Sequence, residues 1–136
     1  RRQHWPDRGS AYTYLHHRGM FKNWHDDALA SYIDHALHHT NEGLVLKCKA
    51  EREAEIFASY PKQLWKQLQQ PCSPTFLLYG NKTYPFVSAS AEKWRTLNQA
   101  VQLHKVAGGH CFMQENPNES AKLVLQWLQH QANNKI

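Results

Sequence analysis

The apolar residues in the first half of the chain recur at helical spacing. A helix is predicted to begin at Pro6 and Asp7 and to end before Gly19. A longer amphipathic helix is predicted over residues 21–39, because its apolar side chains share one face and its histidines stand at the end that the helix dipole favours. The residues of that face are Leu29, Tyr32, Ile33 and Leu37, and the terminal histidines are His38 and His39.

Two shorter helices are predicted next, after a short apolar run at residues 44–48. Residues 50–60 are rich in Glu and Ala and end at Pro61, which favours a helix that stops there. Residues 61–70 carry that proline in the first turn, a position that suits a helix start. The first seventy residues are therefore predicted to be mostly short helices.

The pattern changes after residue 71. Residues 72–80 form a compact apolar run closed by glycine, which is typical of a buried strand. A helix over 86–97, a strand over 100–106 and a helix over 116–131 follow, and Asn116 and Glu119 have the spacing of a capping box for the last helix. Strand, helix, strand, helix predicts two parallel strands joined by a crossover.

Two parallel strands do not make a stable sheet by themselves, because parallel sheets normally contain several strands with both faces covered. We therefore expect the remaining strands to come from sequence upstream of Arg1 or from another chain.

Composition narrows the function classes. The 41% hydrophobic content is that of a globular protein, and the formal charge of +5 arises from basic residues scattered among acids, which argues against nucleic-acid binding. No apolar run is long enough to span a bilayer. Cys48, Cys72 and Cys111 lack the spacing of metal ligands or of a disulfide framework, so a cytoplasmic location is expected.

A histidine follows two glycines in the stretch AGGHCFMQENP, residues 107–117. Gly108 and Gly109 allow a sharp turn that leaves the side chain of His110 uncovered, and an uncovered histidine is suited to carrying protons near neutral pH. The alternative for His110 is a loop histidine bonded to backbone.

The order of these elements resembles the second half of an α/β-hydrolase. The matching stretches are residues 65–80, residues 101–110 and the helix that contains LVLQWL. The resemblance implies an α/β fold in which residues 1–70 form a helical cap and residues 71–136 form the C-terminal strand-helix-strand-helix part of the core. It also implies a small-molecule acyl substrate and no cofactor.

The resemblance gives His110 the role of the catalytic base of a serine hydrolase. No G-x-S-x-G is present, so the nucleophile and the oxyanion donors are expected upstream of Arg1, in an N-terminal half or a second copy. The family usually carries Asp or Glu where Thr83 stands here. Some relatives place the acid one strand earlier, and we expect that arrangement; Glu115 is expected to be a loop carboxylate.

Two further groups of residues have competing explanations. Phe21 and Trp24 are predicted to line the cap side of a substrate pocket, although core packing explains them equally well. His35, His38 and His39, together with His16 or His17, have helical spacing that suits a metal, but a hydrated helix end explains them better, so no metal site is expected.

The leading hypothesis is an esterase-like hydrolase that cleaves an ester, thioester or related acyl bond by a Ser-His-acid mechanism. A catalytically silent α/β-hydrolase-like binding or regulatory protein is the first alternative, favoured by Thr83 in the acid position. A helical interaction module is the second. A G-x-S-x-G in upstream sequence would discriminate the enzyme from the binding protein.

Overall fold

The computed structural model describes residues 2–133. These residues form two compact units that meet in sequence between Pro61 and Lys62. The predicted end of the helical cap at residue 70 stays a prediction.

The first unit contains three of the predicted helices. Helix α1 spans Arg8–Leu15, α2 spans Asp26–Ala36 and α3 spans Ala50–Ala58, with a short 3-10 helix at Gly19–Phe21 between the first two. Asp7 caps α1, because its Oδ1 accepts a hydrogen bond of 2.7 Å from the backbone of Ser10.

A small antiparallel sheet in the first unit was not predicted from the sequence. Its strands are β1 at His4–Trp5, β2 at Leu37–Thr40 and β3 at Gly43–Leu46, in the order β1-β3-β2. The predicted helix over 21–39 was too long, because its last residues form β2 and pair with β3. The hairpin explains the short apolar run, whose alternate residues Leu44 and Leu46 are buried.

Helices α1 and α2 are joined by polar contacts at the surface. The hydroxyl of Tyr12 donates to Asp26 at 2.9 Å, and Nε2 of His16 lies 3.2 Å from the same carboxylate oxygen. Arg8 pairs with Asp34. Beneath these contacts lies the hydrophobic core of the first unit, made of Trp5, Ala11, Leu15, Phe21, Leu29, Ile33, Leu37, Leu44 and Leu46.

The second unit confirms the predicted alternation of strands and helices. Its elements are α4 at Leu64–Gln67, β4 at Thr75–Gly80, α5 at Pro85–Leu97, β5 at Val101–Val106, α6 at Phe112–Glu115 and α7 at Pro117–Asn133. Strands β4 and β5 are parallel, in a register that runs from Thr75 opposite Val101 to Gly80 opposite Val106.

Helix α7 begins at Pro117, as predicted, but the reciprocal hydrogen bonds of the predicted capping box are not found among the described residues. The backbone N–H of Asn116 donates to Phe112 at 2.8 Å, and the carboxylate of Glu119 pairs with Lys122 at 2.8 Å. Both groups of the predicted capping box are thus engaged elsewhere, because α6 runs into the start of α7. None of the helices within residues 2–133 is both long and apolar enough to cross a bilayer.

Strand β4 is paired on one edge only among the described residues, and apolar cavities lie beside it. One of about 280 Å³ lies between α4, β4 and α5, and a groove of about 430 Å³ lies along α7. Apolar side chains of α7 are half exposed on that groove; they are Val124, Leu125 and Leu128. The unpaired edge of β4 is therefore accompanied by apolar surface.

Candidate functional site

The carboxyl ends of β4 and β5 meet at one edge of the sheet. Because the strands are parallel with Gly80 opposite Val106, the segment after each strand emerges on the same side. Residues 81–84 and residues 107–111 therefore lie next to each other. In open parallel sheets, ligands bind at this edge.

Main-chain hydrogen bonds tie the two segments together. The backbone N–H of Asn81 donates to Val106 at 2.8 Å, and that of Lys82 donates to Gly108 at 2.9 Å. In the reverse direction, the backbone N–H of Gly108 donates to the side-chain oxygen of Asn81 at 3.2 Å. The spacing of the two segments is thus set by the backbone.

Glycines are needed where the segments approach each other. A Cβ on Gly80 would collide with the carbonyl of Gly109 and lie 2.7 Å from that of Gly108. Gly108 also has φ +135°, a conformation that other residues rarely adopt. Gly80 is therefore needed for the close approach of the loops, whereas a Cβ on Gly108 or Gly109 would meet residues of α6, at 2.8 Å from Cβ of Phe112 and 2.5 Å from Oε1 of Glu115.

Glu115 supports the loop from the other side. Its Oε2 accepts a hydrogen bond of 2.8 Å from the backbone N–H of Gly109, and this contact is partly buried. The carboxylate of Glu115, the last residue of α6, is therefore engaged with the backbone of the loop that carries His110.

His110 lies at the tip of this loop and is exposed. Its Nδ1 forms a hydrogen bond of 2.9 Å with Oγ1 of Thr83, and its ring lies 5.2 Å from that of Tyr84. Among the described residues, no hydrogen bond engages Nε2. An imidazole held through one nitrogen can accept a proton at the other and return it, which is the chemistry of a general base and acid.

Sequence reasoning missed the contact between Thr83 and His110. It considered Thr83 only as the absence of a carboxylate, whereas the structure makes this hydroxyl the side-chain partner of the histidine. The available signal was its position three residues beyond Gly80, at the end of the neighbouring strand.

The exposed ring of Tyr84 beside His110, and that of Phe86 stacked on it, were also missed. Tyr84 and Phe86 stack with centroids 5.6 Å apart and an interplanar angle of 8°. They are 55% and 67% exposed, so they present apolar surface, and Tyr84 brings that surface next to the imidazole. Surface of that kind suits contact with an apolar group of a ligand.

Phe21 and Trp24 lie in the first unit. Their rings meet edge to face at 4.8 Å, and each also contacts Tyr32. Phe21 is 7% exposed and belongs to the hydrophobic core, against which Trp24 packs. This packing favours the core interpretation, and a substrate-binding role for the two residues stays a prediction.

The histidines considered as metal ligands lie on different elements. His35 is in the last turn of α2, whereas His38 and His39 are consecutive residues of β2, whose side chains point to opposite faces. The helical spacing assumed for them was therefore wrong. Within residues 2–133 no group of three or more His, Cys, Asp or Glu side chains is placed to hold a metal ion.

Solved structures that resemble the chain include a hydrolase and a thioesterase domain. One is E-2-(acetamidomethylene)succinate hydrolase, with a TM-score of 0.75 and 18% identity over 93% of this chain and 47% of that one. The other is a thioesterase domain from the curacin biosynthetic pathway, with a TM-score of 0.65 and 16% identity over 90% of this chain and 44% of that one. The chain thus spans less than half the length of either protein. No protein-family model and no curated protein matches its sequence.

Proposed function

Because the chain has the fold of the C-terminal part of an α/β-hydrolase, we propose that it carries the catalytic histidine of a hydrolase acting on an ester, thioester or related acyl bond. The observation that supports this most directly is the position of His110. It stands at the carboxyl end of β5, exposed, with Nδ1 bonded to Thr83 and Nε2 directed to no partner among the described residues.

In the proposed reaction, Nε2 of His110 takes the proton from a serine hydroxyl as its oxygen attacks the acyl carbon. The same nitrogen then gives the proton to the leaving group, and a water molecule repeats the sequence to release the acid. Tyr84 and Phe86 are suited to contact the acyl group, because the ring of Tyr84 lies beside the imidazole and the ring of Phe86 stacks on that of Tyr84.

The serine, the oxyanion donors and the acid of this proposal come from a segment outside the 136 residues. The sequence contains no G-x-S-x-G, and the two similar structures are each more than twice as long as the part that this chain matches. An N-terminal half of the same protein is the proposed source, and a second copy is the alternative.

The unpaired edge of β4 supports the need for such a segment. Strand edges expose backbone donors and acceptors that invite pairing. Here the edge is accompanied by the apolar cavity next to α5 and the apolar groove along α7. Added strands would pair with β4, and their flanking elements would cover these surfaces.

The test is the activity of the protein as its gene encodes it, measured with p-nitrophenyl butyrate and with an acyl thioester. His110→Gln is expected to lower kcat by about 10²–10⁴-fold, because the general base is removed. His104→Gln is the matched control: it replaces an exposed histidine on β5. Full activity of the His110 variant would refute the proposal.

A catalytically silent binding or regulatory protein is the second candidate. Thr83 favours it, because a hydroxyl bonded to the histidine does not neutralise an imidazolium as a carboxylate does. This second candidate would be supported if a serine-directed fluorophosphonate did not label the wild-type protein and the protein hydrolysed neither substrate.

A further inference from the structure

We propose that Thr83 is a positioning residue that holds the imidazole of His110 with Nδ1 protonated, so that the lone pair of Nε2 is available as the base. This inference rests on the proposed hydrolase function. The contact that carries it is the hydrogen bond of 2.9 Å between Oγ1 of Thr83 and Nδ1 of His110.

The chemistry of the two groups permits this assignment. A neutral imidazole has one N–H and one bare nitrogen, and a hydroxyl oxygen can accept a hydrogen bond through its lone pairs. When Oγ1 accepts from the N–H at Nδ1, the bare nitrogen must be Nε2. The opposite tautomer would place the proton on Nε2 and leave the ring unable to act as a base there.

The hydroxyl is placed by the main chain. The backbone N–H of Thr83 donates to Gly80 at 3.1 Å, and the adjacent Lys82 donates to Gly108 two residues before the histidine. Threonine is also restricted in its side-chain rotamers by branching at Cβ. The acceptor is therefore held near the ring before any substrate binds.

A hydroxyl in this position orients the ring but does not itself compensate the charge of the imidazolium, a role that the proposed function gives to an acid from outside the 136 residues. Orientation and charge compensation are thus separable at this site, and substitutions at Thr83 address them one at a time. Serine keeps the hydroxyl, valine keeps the shape without it, and aspartate supplies a carboxylate, which would compensate the charge of the imidazolium.

The experiment is ¹⁵N NMR of histidine-labelled full-length protein, recorded at a pH where His110 is neutral and assigned with His110→Gln. We expect the wild type and Thr83→Ser to carry the proton on Nδ1. Thr83→Val should lose this preference and show the Nε2–H tautomer as a major species, because it cannot accept the hydrogen bond.

Kinetics provide the second readout. Thr83→Val is expected to lower kcat by about 10–100-fold with little change in KM, as for other residues that orient a functional histidine, while Thr83→Ser stays close to wild type. Thr83→Ala replaces the valine variant if thermal unfolding shows that valine disturbs the fold.

Two results would overturn the inference: a wild-type spectrum with the proton on Nε2, or unchanged tautomer and kcat in both Thr83→Val and Thr83→Ala. Loss of activity in His110→Gln together with full activity in these two variants would leave the hydrolase proposal standing and remove the role of Thr83. Full activity in His110→Gln would instead remove the hydrolase proposal, whatever the tautomer.

Discussion

Glu115 accepts a hydrogen bond of 2.8 Å from the backbone N–H of Gly109, the residue before the candidate catalytic histidine. Glu115→Ala leaves this partly buried N–H without its partner, so we expect the free energy of unfolding to fall by about 1–3 kcal/mol. Glu115→Gln keeps an acceptor oxygen and should cost less. Urea unfolding measures both, with Glu119→Gln as a surface control.

The control pair of Glu119 with Lys122 is exposed, and its loss should change the free energy of unfolding by less than about 1 kcal/mol. Equal effects of Glu115→Ala and Glu119→Gln would show that Glu115 does not support the loop.

Gly80→Ala should destabilise the protein and displace the loop that carries His110. The added methyl group would meet the carbonyl groups of Gly108 and Gly109, which belong to backbone and cannot rotate away. We expect a loss of about 1–3 kcal/mol or more in the free energy of unfolding. Gly9→Ala is the matched control, because its Cβ would have only an ordinary contact of 3.4 Å with Asp7. A Gly80→Ala protein as stable as Gly9→Ala would contradict the described approach of the two loops.

The contact between Tyr12 and Asp26 should make stability depend on pH at both ends of the range. The hydrogen bond from Tyr12 lowers the pKa of Asp26, so its contribution is present above the unfolded pKa of roughly 4 and is lost as pH falls through the folded value. The same bond raises the pKa of Tyr12. The contribution of Tyr12 to stability is therefore present below roughly pH 10 and is lost as pH rises through the folded value of its pKa.

Tyr12→Phe tests this dependence, because it removes the hydroxyl from both titrations. The free energy of unfolding, measured in urea across the pH range, should fall less than in the wild type both as pH rises into the alkaline range and as pH falls into the acid range. Part of the loss of stability at acid pH should remain, since the backbone N–H of Ser10 independently lowers the pKa of Asp7. Tyr60→Phe, at a residue 75% exposed, should leave the profile as in the wild type. Identical profiles for the two variants would rule out the contact in solution.

The 136 residues expressed by themselves should not hydrolyse p-nitrophenyl butyrate above the buffer rate. In the proposed function they supply a base and, without G-x-S-x-G, no activated serine. Circular dichroism should first establish that the sample is folded. Turnover that a serine-directed fluorophosphonate abolishes would mean that a nucleophile lies within these residues.

The apolar face of α7 should be covered in the protein as its gene encodes it. Leu128 is 52% exposed in the structure, yet Leu128→Asp is expected to cost about 1.5–3 kcal/mol in the full protein, because the proposed additional segment would bury the leucine. Gln126→Asp, an exposed polar position on the same helix, should be nearly neutral. Sedimentation then distinguishes the two proposed sources of the segment that covers α7. A monomer indicates the same chain, and a dimer that is lost in Leu128→Asp indicates a second copy.

The strands β4 and β5 and the helices α5 and α7 of the second unit were predictable because these elements are longer and regular. The apolar run ending at Gly80 and the strand ending at Val106 could be assigned from composition, and their order required a parallel pairing. The sheet of the first unit was not predictable in this way. Its strands span two to four residues, and His38 and His39 suited a helix end as well as a strand.

The site was predictable only in part. The two glycines before His110 indicated an exposed histidine, and the resemblance supplied its role. Its partner Thr83 lies 27 residues away, and the contact depends on the register of β4 with β5, which no local pattern encodes.

The ties between the two loops at the sheet edge use mainly backbone groups, which nearly every amino acid possesses. Substitutions of Lys82 should therefore be tolerated whenever the new residue keeps its backbone N–H, and proline is the one replacement that should not be tolerated. A saturation-mutagenesis library at Lys82 would show directly whether proline is depleted relative to the other amino acids. Such an edge can hold one histidine in place while the residues around it diverge, which is compatible with a shared fold at 18% identity.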